Sequence, residues 1–368
     1  MTEQIHGGML QDSPISLDFS VNINPLGMPQ YVKEALREAM DRGEELWEKY
    51  PDPLCRELRE RLADCHRVSA KRIICGNGAS ELIVAIVRAF QRRKGTDSLA
   101  CVLPVPSFLE YERSLQAVGA GVYFYHMKEE ENFMVTETLL EKLTPDMDVL
   151  FLCNPNNPTG SLLSEELLKV ILDRCGKNGI AVILDTCFWE LAQSSLAEED
   201  RAWDYSNYLD LIVLKAFTKL YAIPGLRLGY CICSDVNLAE EIMAQVPCWN
   251  VSGMAQTAGL TVLNNKENID YISQTKKLIG RERNYLEEEL QRLGMKVLPG
   301  QANFLCFYSQ EPLYEKLLGR GILIRDCRNF RGLEAGWYRV AVKGHAENSL
   351  LIEQIRQILK IPEPIKDP

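Results

Sequence analysis

Four places in the sequence set reactive or anion-binding groups where an apolar run gives way to a turn. Lys219 lies just past the run Leu211–Leu214, in the stretch Lys215-Ala216-Phe217-Thr218-Lys219-Leu220-Tyr221-Ala222-Ile223-Pro224-Gly225-Leu226-Arg227-Leu228-Gly229-Tyr230. A lysine amine there becomes a nucleophile if a desolvated or cationic setting lowers its pKa. Thr218 and Arg227 add a hydroxyl and a second cation, a set that suits a phosphate monoester, although any single lysine also reads as an ordinary surface residue. Asp185 follows the apolar run Ala181–Leu184, where an unpaired carboxylate is expensive and calls for a partner. A helix cap is the plain alternative, yet Thr186-Cys187-Phe188 does not open a clean helix. Gly76-Asn77-Gly78-Ala79-Ser80-Glu81 joins a strand to a helix, so its N–H groups and the helix dipole make an anion seat. The dinucleotide spacing is not met, because Glu81 holds the last glycine position, and such a turn also serves packing. Asn154-Pro155-Asn156-Asn157-Pro158-Thr159-Gly160 follows a further strand, as a rigid turn or as a ligand loop.

The elements that must position these groups are legible as short apolar runs alternating with amphipathic segments from about residue 50 to about 235. Arg72–Cys75, Leu99–Leu103, Val122–Tyr125, Val149–Cys153, Ala181–Leu184, Leu211–Leu214 and Gly229–Cys233 have the texture of strands buried on both faces. Ser80–Phe90 places Leu82, Ile83, Ala85, Ile86, Ala89 and Phe90 on one helical stripe, and Ser164 caps a helix with Leu167, Leu168 and Ile171 facing inward. The pattern predicts an α/β fold with a mostly parallel seven-stranded sheet covered on both faces. A helical stretch from about Met254 to Leu293 follows. A compact α+β unit then has strands near 295–298, 303–308, 322–324 and 338–342 and helices near 313–318 and 347–359. The expected division is residues 1–49 as an arm and part of a small domain, 50–270 as the large domain, and 271–368 as the rest of the small one. The tail from Pro362 to Pro368 is Pro-rich and polar, and is expected to be disordered.

Bulk properties narrow the classes. With 368 residues, 51 acidic and 41 basic side chains, the chain carries a formal charge of −10 and no basic cluster longer than Arg92-Arg93-Lys94. Nucleic acid and anionic membrane are therefore poor partners. No basic start leads into an apolar stretch, and no run approaches the roughly eighteen apolar residues of a membrane span, so a cytoplasmic location is expected. The 12 cysteines are scattered through strands and helices, and the four histidines are far apart with no Cys-x-x-Cys pair, which leaves no metal site expected.

Taken in order, these motifs resemble the fold-type I pyridoxal-phosphate (PLP) enzymes of the class I/II aminotransferase family over nearly the whole chain. The resemblance implies PLP bound covalently through Lys219, with Asp185 pairing the pyridine nitrogen, Asn157 reaching the ring hydroxyl and Phe108 stacking on the ring. Ala79, Ser80, Thr218 and Arg227 would hold its phosphate. Tyr50, in Tyr50-Pro51-Asp52-Pro53, would reach the phosphate in a partner subunit, which implies a homodimer with shared active sites. Arg339 and Arg325 match cations that grip the acidic groups of a small phosphorylated amino-acid substrate. Within the family, His6-Gly7-Gly8, the run Asp18–Gly27 with Asn24, and Ile324-Arg325-Asp326-Cys327 are most similar to members that decarboxylate threonine O-3-phosphate. Members that transaminate histidinol phosphate come next, and a non-catalytic PLP-fold binding protein is a third alternative. The sequence departs from relatives at Ala216, where a phosphate-binding serine is frequent, at Phe188, where many transaminases have tyrosine, and at Met9, where asparagine is common.

Overall fold

A computed structural model of the chain describes residues 7–8, 15–41, 48–192, 207–208 and 210–362. His6, Met9 and the tail beyond Pro362 lie outside the described residues. A short strand, β1 (Leu17–Asp18), comes first. The strands β2 (Ile73–Gly76), β3 (Ala100–Val105), β4 (Gly121–His126), β5 (Val149–Cys153), β6 (Ala181–Asp185), β7 (Leu211–Ala216) and β8 (Gly229–Cys233) then form one sheet in the order β2-β8-β7-β6-β5-β3-β4. All neighbours are parallel except β8, which runs antiparallel to both β2 and β7. Helices cover both faces, and two apolar clusters, one per face, account for the continuous hydrophobicity of the central strands. Helix Ala79–Lys94 buries the expected stripe together with Val87, and helix Glu165–Asn178 opens with Ser164 Oγ accepting the Leu167 N–H at 3.2 Å.

Register is what brings the chemistry together. Cys153 pairs with Asp185 and Asp185 with Leu214, so β5 and β6 end level with one another and β7 runs two residues further. The turn after β5, the carboxylate at the end of β6 and the lysine loop after β7 therefore emerge at one edge of the sheet, the carboxyl edge where open α/β sheets gather ligands.

The second sheet holds β9 (Lys296–Val297), β10 (Phe304–Tyr308), β12 (Arg325–Asp326) and β13 (Trp337–Ala341) in the antiparallel order β12-β13-β10-β9, while β11 (Ile322–Leu323) pairs in parallel with β1. The N-terminal segment thus joins the C-terminal unit, and Phe19, Leu286, Leu305, Phe307, Ile324 and Leu351 share its core. The expected helical stretch is present, in two pieces. The stretch from Met254 to Leu293 is two helices, Gly253–Asn264 and Glu267–Arg292, because Asn265 is extended and its Oδ1 accepts the Glu267 N–H at 2.8 Å, starting a new helix.

Candidate active site

A cavity of about 210 Å³ lies at this edge, between the large sheet and the loop and strands that carry Arg325 and Arg339. Lys219, Asp185, Asn157, Arg227, Arg325 and Arg339 all line it. Ala79, Ser80, Phe108 and Thr218 reach it from the large sheet, and Gly7 from the N-terminal segment. Three expected residues, Asn24, Tyr50 and Gly8, do not line it. Asn24 is buried behind the lysine loop, its amide nitrogen 2.7–2.9 Å from Leu220 O, Tyr271 Oη and Thr275 Oγ1, which share its two N–H groups, and its oxygen accepts the Leu26 N–H at 3.0 Å. Those bonds consume its amide, so Asn24 is corrected from a substrate contact to a structural tie. Tyr50 is 80% exposed and stacks on Trp249 with centroids 4.5 Å apart, outside the cavity. Gly8 does not line the cavity either; its N–H donates to Ser20 Oγ at 2.9 Å.

Lys219 sits in the short helix Phe217–Leu220, its ammonium 5.8 Å from the centre of the Phe188 ring. Removal from water, then the like charge of Arg339 and, less strongly, that of Arg227, lower its pKa to about 8, opposed by Cys187 and Asp185. Such an amine is partly neutral near physiological pH and able to attack a carbonyl. Asp185 is buried at the end of β6 and accepts the Tyr111 O–H at 2.6 Å and the Cys187 N–H at 2.9 Å. Sequence reasoning missed Tyr111. It lies one helical turn beyond Phe108, whose ring it meets edge-on at 5.6 Å, and burial together with the Asp185 charge pushes its phenol well up, so it stays a donor.

At the other end, the turn before helix Ala79–Lys94 is shaped around Arg227. Gly78 has φ +79°, and a Cβ there would come within 2.5 Å of the Arg227 guanidinium, so only glycine lets the cation lie against the backbone. Arg325 and Arg339 are register partners on β12 and β13, both buried, and burial lowers both pKa values, Arg339 to about 10. Arg339 donates to Asn157 Oδ1 and, at 2.8 Å, to Ser20 O, while its Nε is buried without a partner. Asn22, two residues before Asn24, lines the cavity with a buried and unpartnered Oδ1. An asparagine in an extended segment carries no mark of which neighbour faces the site.

These groups fit a phosphorylated pyridine aldehyde. An activated amine stands near a buried carboxylate whose two hydrogen bonds come from neutral donors, and the helix start beside Arg227 can seat a phosphate. The arginine pair on the opposite wall, with an idle buried donor, is left for an anionic substrate.

The family described as aminotransferase class I and II matches residues 14–355. A threonine-phosphate decarboxylase of Salmonella typhimurium (strain LT2) is 36% identical over 372 residues, with 96% of each chain covered. Histidinol-phosphate aminotransferase 2 of Carboxydothermus hydrogenoformans is 30% identical over 343 residues, covering 92% of this chain and 90% of its own. Among solved structures, the histidinol-phosphate aminotransferase from Clostridium acetobutylicum is similar with a TM-score of 0.83 at 29% identity, over 94% of this chain and 99% of that one. Among the described residues, no helix is long and apolar enough to cross a membrane.

Proposed function

This chain belongs to the class I and II aminotransferase family of PLP-dependent enzymes, and from that premise we propose that it decarboxylates L-threonine O-3-phosphate to (R)-1-aminopropan-2-ol O-phosphate, a precursor in cobalamin biosynthesis. The observation that carries this reading is the pair of buried, register-matched arginines facing the lysine. A phosphate monoester brings close to two negative charges, and two guanidiniums answer it where one suffices for a carboxylate. The 36% identity to a threonine-phosphate decarboxylase supports the same choice.

In this reading Asp185, fixed by Tyr111 and Cys187, holds a proton on the pyridine nitrogen, and Arg227, Thr218, Ala79 and Ser80 hold the cofactor phosphate. Phe108 flanks the ring and Asn157 meets its hydroxyl. Bound there, PLP supplies the electron sink for charge released at the substrate's Cα. Arg325, Arg339 and Asn22 would anchor the substrate phosphate on the far wall, with Gly7 beside them in the cavity lining. With both arginines engaged by the phosphate, the substrate carboxylate would be left free of them to depart as CO2, and Lys219 is the group that would return a proton to Cα. Tyr50 serves the cofactor phosphate of a second subunit in a homodimer; its exposure beside Trp249 supports that assignment.

A second reading is transamination of histidinol phosphate, favoured by the 30% identity to such an enzyme; Arg339, in the cavity lining, would then serve the carboxylate of the 2-oxo acid co-substrate. The test is to supply PLP-loaded enzyme with L-threonine O-3-phosphate and no oxo acid, and to follow CO2 over many turnovers. Sustained release supports the decarboxylase. No CO2, with conversion of histidinol phosphate once 2-oxoglutarate is added, replaces it with the transaminase.

A further inference from the structure

Between β12 and β13 the chain runs Cys327-Arg328-Asn329-Phe330-Arg331-Gly332-Leu333, and this loop holds the Arg325 guanidinium twice. The guanidinium lies 5.1 Å from the centre of the Phe330 ring and donates to Asn329 Oδ1 at 2.8 Å. The next residue ties the loop to the other side of the cavity. Arg331 donates Nε to Glu112 Oε2 at 3.1 Å and a terminal nitrogen to Glu112 Oε1 at 2.5 Å, and its guanidinium sits 4.1 Å from the centre of the Phe124 ring. Glu112 belongs to helix Leu109–Ala117, directly after Tyr111, so the tie ends on the helix whose tyrosine fixes Asp185. Gly332, with φ +88°, brings the loop backbone against Pro106, where an added Cβ would already be at 3.6 Å.

We propose that Arg331 is a positioning residue that fastens the Arg325 loop to the Glu112 helix and thereby sets the spacing between the substrate anion seat and the cofactor wall. The inference rests on the substrate reading above. Arg331 does not line the cavity, so it acts only through Phe330 and Arg325. A single exposed ion pair contributes little, but a two-point guanidinium–carboxylate contact stacked on a ring is directional, and Glu112 is largely withdrawn from solvent with 17% of its side chain exposed. Releasing it frees the loop without removing any group that touches substrate.

The test uses PLP-loaded enzyme. Arg331→Ala is expected to raise KM for L-threonine O-3-phosphate about three- to tenfold with kcat changed less than about twofold. Arg331→Lys, which keeps the charge but not the fork, should fall between. The exchanged pair Glu112→Arg with Arg331→Glu should recover part of what each single change loses. Amide hydrogen exchange should quicken across residues 325–333 in Arg331→Ala and stay unchanged in β5–β7. An unchanged KM, a double variant no better than its worse parent, or unaltered exchange in the loop each overturns the proposal. If the wild type turns over histidinol phosphate rather than threonine phosphate, the same KM comparison is made on that substrate. The decarboxylase reading then falls alone, and the role of Arg331 is still decided.

Discussion

Replacing Lys219 by methionine should make the cofactor-free protein more stable, and by an amount that depends on pH in a defined direction. Burial and the charges of Arg339 and Arg227 take the Lys219 amine from 10.5 to about 8. Each pKa unit corresponds to about 1.4 kcal/mol, so the protonated amine burdens the fold by about 3 kcal/mol once a few tenths are returned by the Phe188 ring. For a base whose pKa falls on folding, the unfolded chain binds more protons between about pH 8 and 10.5, so stability rises with pH across that window. Below about pH 8 the penalty is fully present, and above about 10.5 it is gone. Urea unfolding of the cofactor-free wild type and of Lys219→Met, at about pH 7 and about pH 10, isolates the effect because the other titrating groups cancel in the difference. The variant should lead by about 3 kcal/mol at the lower pH, and most of that lead should vanish at the higher one. Adding Arg339→Met to both backgrounds should shrink the lead, since the largest like charge has gone. A lead independent of pH, or a variant less stable at about pH 7, would refute the assignment of Lys219 as a desolvated, charge-crowded amine.

Other consequences are equally direct. Ala216→Ser puts a hydroxyl on the cavity wall at the end of β7 and should tighten PLP by about 1 kcal/mol, roughly fivefold in Kd, in a fluorescence titration. Asn22→Ala should raise the substrate KM several-fold with an unchanged urea midpoint. Asn24→Ala should lower stability by about 1–2 kcal/mol, because it removes a buried amide that ties Leu220 O and Thr275 Oγ1 together, while Tyr271 Oη keeps Leu220 O and Gly27 O. Gly78→Ala forces a side chain into a positive-φ position occupied on its far side by Arg227, and should weaken PLP about tenfold while lowering stability by about 1–2 kcal/mol.

Six of the seven strands of the large sheet were legible because strands buried on both faces are written as unbroken apolar runs; β4, at the sheet edge with Tyr123 half-exposed, was legible by its β-branched and aromatic residues. Asp185 stood out because a charged residue directly after such a run is costly unless it is used, and Lys219 because it shares the loop after β7 with Thr218 and Arg227. Tyr111 did not, since an aromatic on the inner face of a helix looks the same whether its hydroxyl meets a carboxylate or packs. Asn22 and Asn24 are two apart in an extended segment, so spacing could not choose between them; one faces the cavity and the other the helix carrying Tyr271 and Thr275. The break at Asn265 was invisible because neither proline nor glycine marks it, only an asparagine that caps the second helix. The strands β1 and β12 are two residues long, too short for any periodicity to show.

The pairing of β1 with β11 sets the order in which the molecule can be completed during synthesis. Leu17 pairs with Ile322, and Ser16 donates to Gly321 O across 305 residues of chain. Ser20 O waits for Arg339, and Phe19 O for the Ala341 N–H. A ribosome adding about 5–20 residues each second leaves the first strand without its neighbour for tens of seconds, while the large sheet has every one of its seven strands by Cys233. The half that carries the lysine can therefore assemble long before the half that recognises the substrate anion, and closing so distant a contact is the slow step expected for this topology.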